Sequence, residues 1–135
     1  YACRAGTTTT YNVGGAVSDY ILTNAVGWCR ENSGDVRHVV GEKVPNAWGL
    51  YDMHGNLSEL CLDIYSRDYS ERLKGRDPQG APLPTNTSSY SRRPMRGGDY
   101  HSAYVNMGVN YFEGLYECGG TTPYLRGFRL FLTLP

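Results

Sequence analysis

Lysine is nearly missing from this sequence. Lys43 and Lys74 stand alone, and arginine supplies the rest of 13 basic residues, which 13 acidic residues balance. A chain with no net charge offers no electrostatic footprint for nucleic acid or for an anionic membrane surface. Long apolar runs are missing as well, and none approaches the roughly 20 residues of a membrane span. Cysteine is sparse. Cys3, Cys29, Cys61 and Cys118 form no C-x-x-C pair and no Cys/His pair at zinc spacing. Four cysteines allow three pairings, which the spacing leaves open; buried free thiols are the simpler expectation. Leucine-rich heptads do not occur. In their place stand 17 glycines and 12 tyrosines, the composition of a loop-rich, irregular domain, and 135 residues fit one domain at most.

Local signals divide the chain. The Thr7 to Thr10 run with Tyr11 and Val13 suggests a short extended segment. Ser18-Asp19 can cap a short helical turn at Tyr20, Ile21 and Leu22. Asn32-Ser33-Gly34-Asp35 is a turn, after which Val36, Val39 and Val40 read as a short strand. Pro45-Asn46 and Gly55-Asn56 are turn signals, and from Leu57 to Tyr65 apolar and polar residues alternate with the period of a strand. Residues 66–94, with Pro78, Pro82, Pro84 and Pro94, read as one long loop. The ending from Gly127 to Leu132 reads as a terminal strand. His38, His54 and His101 are scattered and read as surface or core histidines. Arg96, Arg126 and Arg129 are expected to pair with carboxylates such as Asp52 or Asp63 and fix strand ends.

Three phrases resemble one family, the formylglycine-generating-enzyme/sulfatase-modifying-factor group. Tyr1-Ala2-Cys3-Arg4-Ala5-Gly6-Thr7 is similar to the tail of its E-Y-A-x-R-A-G-T phrase. Pro45-Asn46-Ala47-Trp48-Gly49-Leu50-Tyr51-Asp52-Met53-His54-Gly55-Asn56 is similar to its N-x-W-G-L-Y-D-M-x-G-N signature. Arg96-Gly97-Gly98, followed by Gly127-Phe128-Arg129, resembles its R-G-G … G-F-R closure. The resemblance implies an α+β, C-type-lectin-like fold, loop-rich with short strands and scaffolded by the W-G-L-Y-D-M core. It also implies that residues 1–135 are the C-terminal part of one such domain. The N-terminal half is then expected to be cleaved off or on another chain.

The departures bear on activity. The family's V-W-E-W is Leu57-Ser58-Glu59-Leu60, without either tryptophan. Active members carry two copper-binding cysteines shortly after R-G-G-S-W. The matching stretch, Asp99 to Met107, has none. Thiolate chemistry needs thiolates, so the resemblance implies a protein that is not an enzyme of this type and binds no copper. It also implies a structural calcium held by Asn56, the carbonyl near Leu57, and Glu59, hard oxygen donors of the kind calcium takes. From the residues alone, a turn asparagine and a glutamate in a salt bridge with an arginine are the simpler reading.

Between Arg96 and Arg129 lies a segment crowded with Tyr100, His101, Ser102, Tyr104, Asn106, Asn110, Tyr111, Phe112, Tyr116 and Tyr124, preceded by Asp99. Tyrosine, serine, asparagine and glycine are the mixture of antibody paratopes. Placed here, the mixture resembles the variable proteins of diversity-generating retroelements, of the spirochaete surface type. Adenine-directed mutagenesis of asparagine codons yields this residue set and does not readily yield lysine, glutamine or tryptophan. Met107, Glu113 and Glu117 would then be constant positions. The implied function is a ligand-binding display protein on the cell surface or otherwise extracytoplasmic, with residues 99–126 as a variable segment and a protein or glycan as partner. The alternatives are an enzyme of the group with altered chemistry and a non-catalytic sensor or interaction module.

Overall fold

A computed structural model describes residues 1–14, 20–61, 92–116 and 126–129, with Arg92 and residues 113–116 described by their backbone. The elements are helix α1 (Tyr20–Val26), β1 (Gly27–Trp28), β2 (His54–Gly55), β3 (Ser58–Leu60), β4 (Arg92–Arg96), a 3₁₀ turn (Tyr104–Met107), β5 (Glu113–Tyr116) and β6 (Arg126–Gly127). Short elements follow from a composition rich in glycine and turn residues. Most of the described chain is irregular and is held by side chains.

Helix α1 runs further than the expected turn at Tyr20 to Leu22. Thr23 and Val26, three residues apart, give it a buried stripe, and Thr23 Oγ1 donates back to the Tyr20 carbonyl at 2.9 Å. The proposed cap at Ser18-Asp19 lies outside the described residues. Strands β1 and β2 pair in parallel, Gly27 opposite His54 and Trp28 opposite Gly55. Both glycines are required by proximity. A Cβ on Gly27 would run into the His54 carbonyl, and one on Gly55 into the Trp28 carbonyl and Met107 Sδ. Gly55 also has φ +72°, a conformation that a side chain resists.

The second sheet has the order β5-β4-β3-β6. Strand β3 is antiparallel to β4, with Glu59 opposite Arg96 and Leu60 opposite Met95, and parallel to β6. The expected strand from Leu57 to Tyr65 is therefore observed only over Ser58–Leu60; residues 62–65 lie outside the described set. Pro94 explains where the ladder stops. Continuing the register sets it opposite Cys61, whose N–H it accepts at 2.9 Å, but proline has no N–H to return. The expected loop at 66–94 is corrected at its end, since residues 92–94 belong to β4; residues 66–91 are outside the described set. The alternation also fails as a burial rule. Ser58 is buried, yet Leu60, on the same face by period, is 48% exposed.

Two further expectations are corrected. Val36, Val39 and Val40 form no strand and are exposed. The backbone of this stretch is spoken for by a side-chain amide: Asn56 Oδ1 accepts the His38 N–H and Asn56 Nδ2 donates to the His38 carbonyl, each at 3.0 Å. Residues 7–13 are turn and coil, not strand, and Tyr11 goes into the core.

That core is small. Tyr11, Cys29 and Met107 are fully buried together, with Tyr104 packed against them. The W-G-L-Y-D-M phrase, expected to be the scaffold's core, is not: Trp48 is 49% and Tyr51 43% exposed. Its structural residue is the buried Asn46. Asn46 Oδ1 accepts the N–H groups of Trp48 and Leu50 at 2.9 and 3.0 Å, and its Nδ2 donates to the Ala2 carbonyl at 2.8 Å. The phrase works as a hydrogen-bonded turn that ties the chain's start to its middle.

Candidate functional site

Arg96-Gly97-Gly98 delivers the chain from β4 into the segment expected to bind ligand. Gly97 and Gly98 have φ +89° and +68°, and a Cβ at Gly98 would press on Met107. The turn they make brings 99–111 back across β1, β2 and the α1–β1 corner.

The backbone of this segment is held from outside it. Tyr100 N–H donates to the Asn56 carbonyl at 3.0 Å, and the Tyr100 carbonyl accepts Ser33 Oγ–H at 2.9 Å. The Ser102 carbonyl accepts the Arg30 N–H at 3.0 Å. Tyr104 N–H donates to Glu31 Oε2 at 3.1 Å, and its carbonyl accepts the Tyr11 hydroxyl at 2.9 Å. The Met107 carbonyl accepts from His54 Nδ1 at 2.7 Å. Val109 N–H donates to the Thr10 carbonyl at 3.0 Å. Arg96 Nη1 reaches the Val109 and Tyr111 carbonyls at 3.3 and 3.1 Å. Every one of these bonds uses the main chain of the segment, not its side chains.

The side chains then divide. Asp99 is buried, and its Oδ1 accepts the N–H groups of His101 and Ser102 and the Ser102 hydroxyl at 2.8 to 2.9 Å. Asp99 and Ser102 therefore build the turn and do not face solvent as a recognition pair. Tyr104 is half-buried, edge-on to Tyr20 at 5.7 Å. His101 is exposed, with Nδ1 2.7 Å from Asp35 Oδ1, and Tyr100 tilts against its ring at 4.3 Å. Asn110 is exposed and accepts from Arg4 Nη2 at 3.0 Å. Phe112 lies under the Arg96 guanidinium, 5.3 Å from the ring centre. Asn106 and Tyr111 are half-buried. Tyr116 lies on β5, described by its backbone, and Tyr124 and Glu117 are outside the described residues. Sequence reasoning missed the residues that flank this face from elsewhere: Tyr20, Glu31, Ser33 and Asp35. No local pattern marks them, because only the tertiary fold brings them there.

Behind the segment sits His54, fully buried. Its Nδ1–H donates to Met107, so Nε2 accepts the Asn12 N–H at 3.3 Å and lies 3.6 Å from Cys3 Sγ. Burial holds its pKa below the ordinary value. Cys3 borders a cavity of about 810 Å³ that Trp48, Leu57, Cys61 and Tyr111 also line. Burial pushes both Cys3 and Cys29 up to about 11, so these thiols stay protonated at neutral pH and are poor nucleophiles. Burial alone would raise the Glu31 carboxyl, but bonds from the Cys29 thiol, its own backbone and the Tyr104 N–H hold it below the usual range.

The residues implied for calcium are engaged otherwise. Asn56 spends its amide on His38. Glu59 accepts Arg129 Nη2 at 2.8 Å and Nε at 3.1 Å, a bidentate pair. Leu57 lines a smaller cavity with Asn56, Glu59, Asp52 and Arg126. Among the described residues no group of three or more His, Cys, Asp or Glu side chains could hold a metal ion. In this arrangement the donor set does not fit a hard cation, which would have to displace a guanidinium from Glu59. The expected partners of the arginines are also corrected. Arg129 pairs with a carboxylate as expected, though with Glu59 and not Asp52, whereas Arg96 binds carbonyls. Arg126 Nε and Nη2 are buried without a hydrogen-bond partner, while Asp52 Oδ2 accepts the Gly41 N–H at 2.7 Å. Asp63 and Cys118 lie outside the described residues.

This arrangement of short strands and side-chain-held loops is a C-type-lectin-like fold of the formylglycine-generating-enzyme type. The chain belongs to the family described as the sulfatase-modifying factor enzyme 1-like domain, which matches residues 1–134. Among solved structures it is similar to Treponema denticola variable protein 1, at 29% identity and a TM-score of 0.65, over 86% of this chain and 38% of that one. PvdO from Pseudomonas aeruginosa shares the fold at 21% identity and a TM-score of 0.67, over 87% of this chain and 44% of that one. A serine/threonine-protein kinase, pkn1 of Chlamydia pneumoniae, is 38% identical over 58 residues, 43% of this chain and 9% of the kinase. The chain thus spans less than half the length of each of these proteins.

Proposed function

We propose that this chain is a non-catalytic ligand-binding display module of the kind found in diversity-generating retroelement variable proteins. The residues between Asp99 and Tyr124 carry recognition and a protein or glycan is the ligand. One observation supports this most: the backbone of residues 100–111 is fastened by Asn56, Ser33, Arg30, Glu31, Tyr11, His54, Thr10 and Arg96, none of which belongs to the segment. Such a backbone tolerates exchange of the outward side chains, because the bonds that fix it do not involve them. Likeness to Treponema denticola variable protein 1 agrees with this reading. Its natural setting is extracytoplasmic, with further parts of the domain beyond this chain; among the described residues no helix is long and apolar enough to cross a membrane.

Sequencing this locus across many isolates is the test. Substitutions are expected to concentrate at Tyr100, His101, Asn106, Asn110 and Tyr111, sparing Asp99, Ser102 and Met107. A near-copy of the segment with adenines at the variable codons should lie nearby. Uniform identity across isolates would sink the reading. The partial likeness to a kinase favours a second reading, an interaction module attached to a signalling enzyme; a kinase domain in the same open reading frame would select it. Oxygen-dependent oxidation of a cysteine peptide would instead support an enzyme with altered chemistry.

A further inference from the structure

We propose that the smaller cavity beside β6 is a binding site for a free α-amino acid with an apolar side chain, its carboxylate on Arg126 and its ammonium group on Asp52. No residue between Asp99 and Tyr124 lines this cavity, so the site does not depend on that segment carrying recognition.

Unpaired polar atoms gather here. Among the described residues five buried side-chain nitrogens and oxygens lack a hydrogen-bond partner, and three of them are Asp52 Oδ1, Arg126 Nε and Arg126 Nη2. Pairing of β6 with β3, Arg126 opposite Ser58, sets the arginine at this place. Asp52 and Arg126 line one cavity of about 340 Å³, yet these atoms leave each other unpaired. Taking a guanidinium edge and a carboxylate oxygen out of water without partners is costly. The other polar groups of the lining are engaged. Asp52 Oδ2 accepts the Gly41 N–H at 2.7 Å, Glu59 holds Arg129, and the Asn56 amide holds His38. Two opposite charges short of partners in one cavity leave a gap that a third group completes.

The chemistry of the unpaired atoms selects the ligand class. Nε and Nη2 lie on one edge of a guanidinium, two parallel donors that match a carboxylate. Arg129 makes that match within this fold, its own Nε and Nη2 holding Glu59 at 3.1 and 2.8 Å. Asp52 Oδ1 needs the opposite, a donor. Charge excludes a simple acid or amine. Asp52 and Glu59 balance Arg126 and Arg129, so a bare carboxylate would meet Asp52 uncompensated, and a bare amine would meet Arg126. A zwitterion satisfies both. An α-amino acid carries the two groups on one carbon and turns its side chain away from them, and Val40, Leu57 and Phe128 supply the apolar walls. Val40 and Phe128 are 76% and 83% exposed. They form the rim, and so little packs on them that they turn aside at small cost to admit the ligand.

Calorimetric titration of the full chain with L-leucine, L-methionine and L-phenylalanine tests the site. At least one is expected to bind. Its affinity should fall tenfold or more when its ammonium group or its carboxylate is removed. The same loss is expected in Arg126→Lys, which keeps the charge but not the fork. Asp52→Asn should lose as much, while keeping an oxygen for Gly41 and suiting the φ of 53° at this position. Ile21→Ser, outside the cavity, should bind as the wild type does. If the melting curve shows Arg126→Lys unfolded, Asp52→Asn and the two analogues carry the test. Absence of binding by all three amino acids at millimolar concentration would overturn the site, leaving water as the filler of the gap. So would equal affinity for an analogue lacking either charge, tighter binding of leucyl-leucine than of leucine, or undiminished binding by the folded variants. None of these outcomes bears on the display reading, which the isolate sequences decide.

Discussion

At the residue scale, three positions carry consequences that simple variants expose. Gly55 combines a left-handed backbone with a contact that leaves no space for a methyl group. Gly55→Ala should cost about 3 kcal/mol, read as a lower midpoint in urea. His54 is buried neutral, so its folded pKa lies below the unfolded value of about 6.5. The sign follows from proton counting. Below pH 6.5 the unfolded chain takes up a proton that the folded chain refuses, so stability is fully present above that pH and is lost as pH falls towards the folded value. The melting temperature should drop between pH 7.5 and 5.5, and His54→Gln should flatten that slope while lowering stability at pH 7.5. Arg129 closes the third position. It gives two bonds to Glu59 and one each to the Tyr51 and Asp52 carbonyls. Arg129→Lys cannot form that fork and should cost about 2 kcal/mol. The same fork occupies the carboxylate a calcium ion would need. Addition of calcium or of a strong chelator should therefore leave the melting temperature of the wild-type chain unchanged; a rise with calcium would mean that Arg129 lets go of Glu59.

At the scale of elements, the segment after Gly98 behaves as a strap whose ends and middle are tied by other parts of the chain. The separation between its buried and exposed side chains gives a direct test. Replacing Tyr100, His101 and Asn110 together with serine should shift stability by only about 1 kcal/mol. Replacing Asp99 and Ser102 with alanine removes the turn's side-chain bonds to the His101 and Ser102 N–H groups and should cost about 2 kcal/mol. Equal losses from the two sets, measured by urea unfolding, would show that the outward side chains support the fold. Strand β3 carries a different lesson. Alternation from Leu57 onward was legible as a strand, but its length was not, because its end is set by a proline more than thirty residues away on β4. The valines at 36, 39 and 40 misled for a related reason. β-branched residues favour strands only where a ladder is available, and here Asn56 takes the backbone groups first.

At the scale of the whole molecule, the three phrases and the order in which they occur were enough to give the family and fold, since each encodes a turn or a closure that local chemistry explains. Asn46 Oδ1 folds its own turn through the N–H groups of Trp48 and Leu50, and the glycines at 55, 97 and 98 take conformations that other residues resist. Those requirements are local, so the sequence carries them in the open. The absence of cysteine from Asp99 to Met107 was legible in the same way. What only the tertiary structure decided is which side chains face outward. Asp99 and Ser102 belong to the same compositional cluster as His101 and Asn110, yet Asp99 and Ser102 close a hydrogen-bonded turn while His101 and Asn110 are exposed. Composition cannot separate them, because burial depends on what packs behind the chain: Tyr11, Cys29 and His54 arrive from three distant positions. The same holds for Tyr20, Glu31 and Asp35, which sit beside the segment only because α1 and the following turn fold against it.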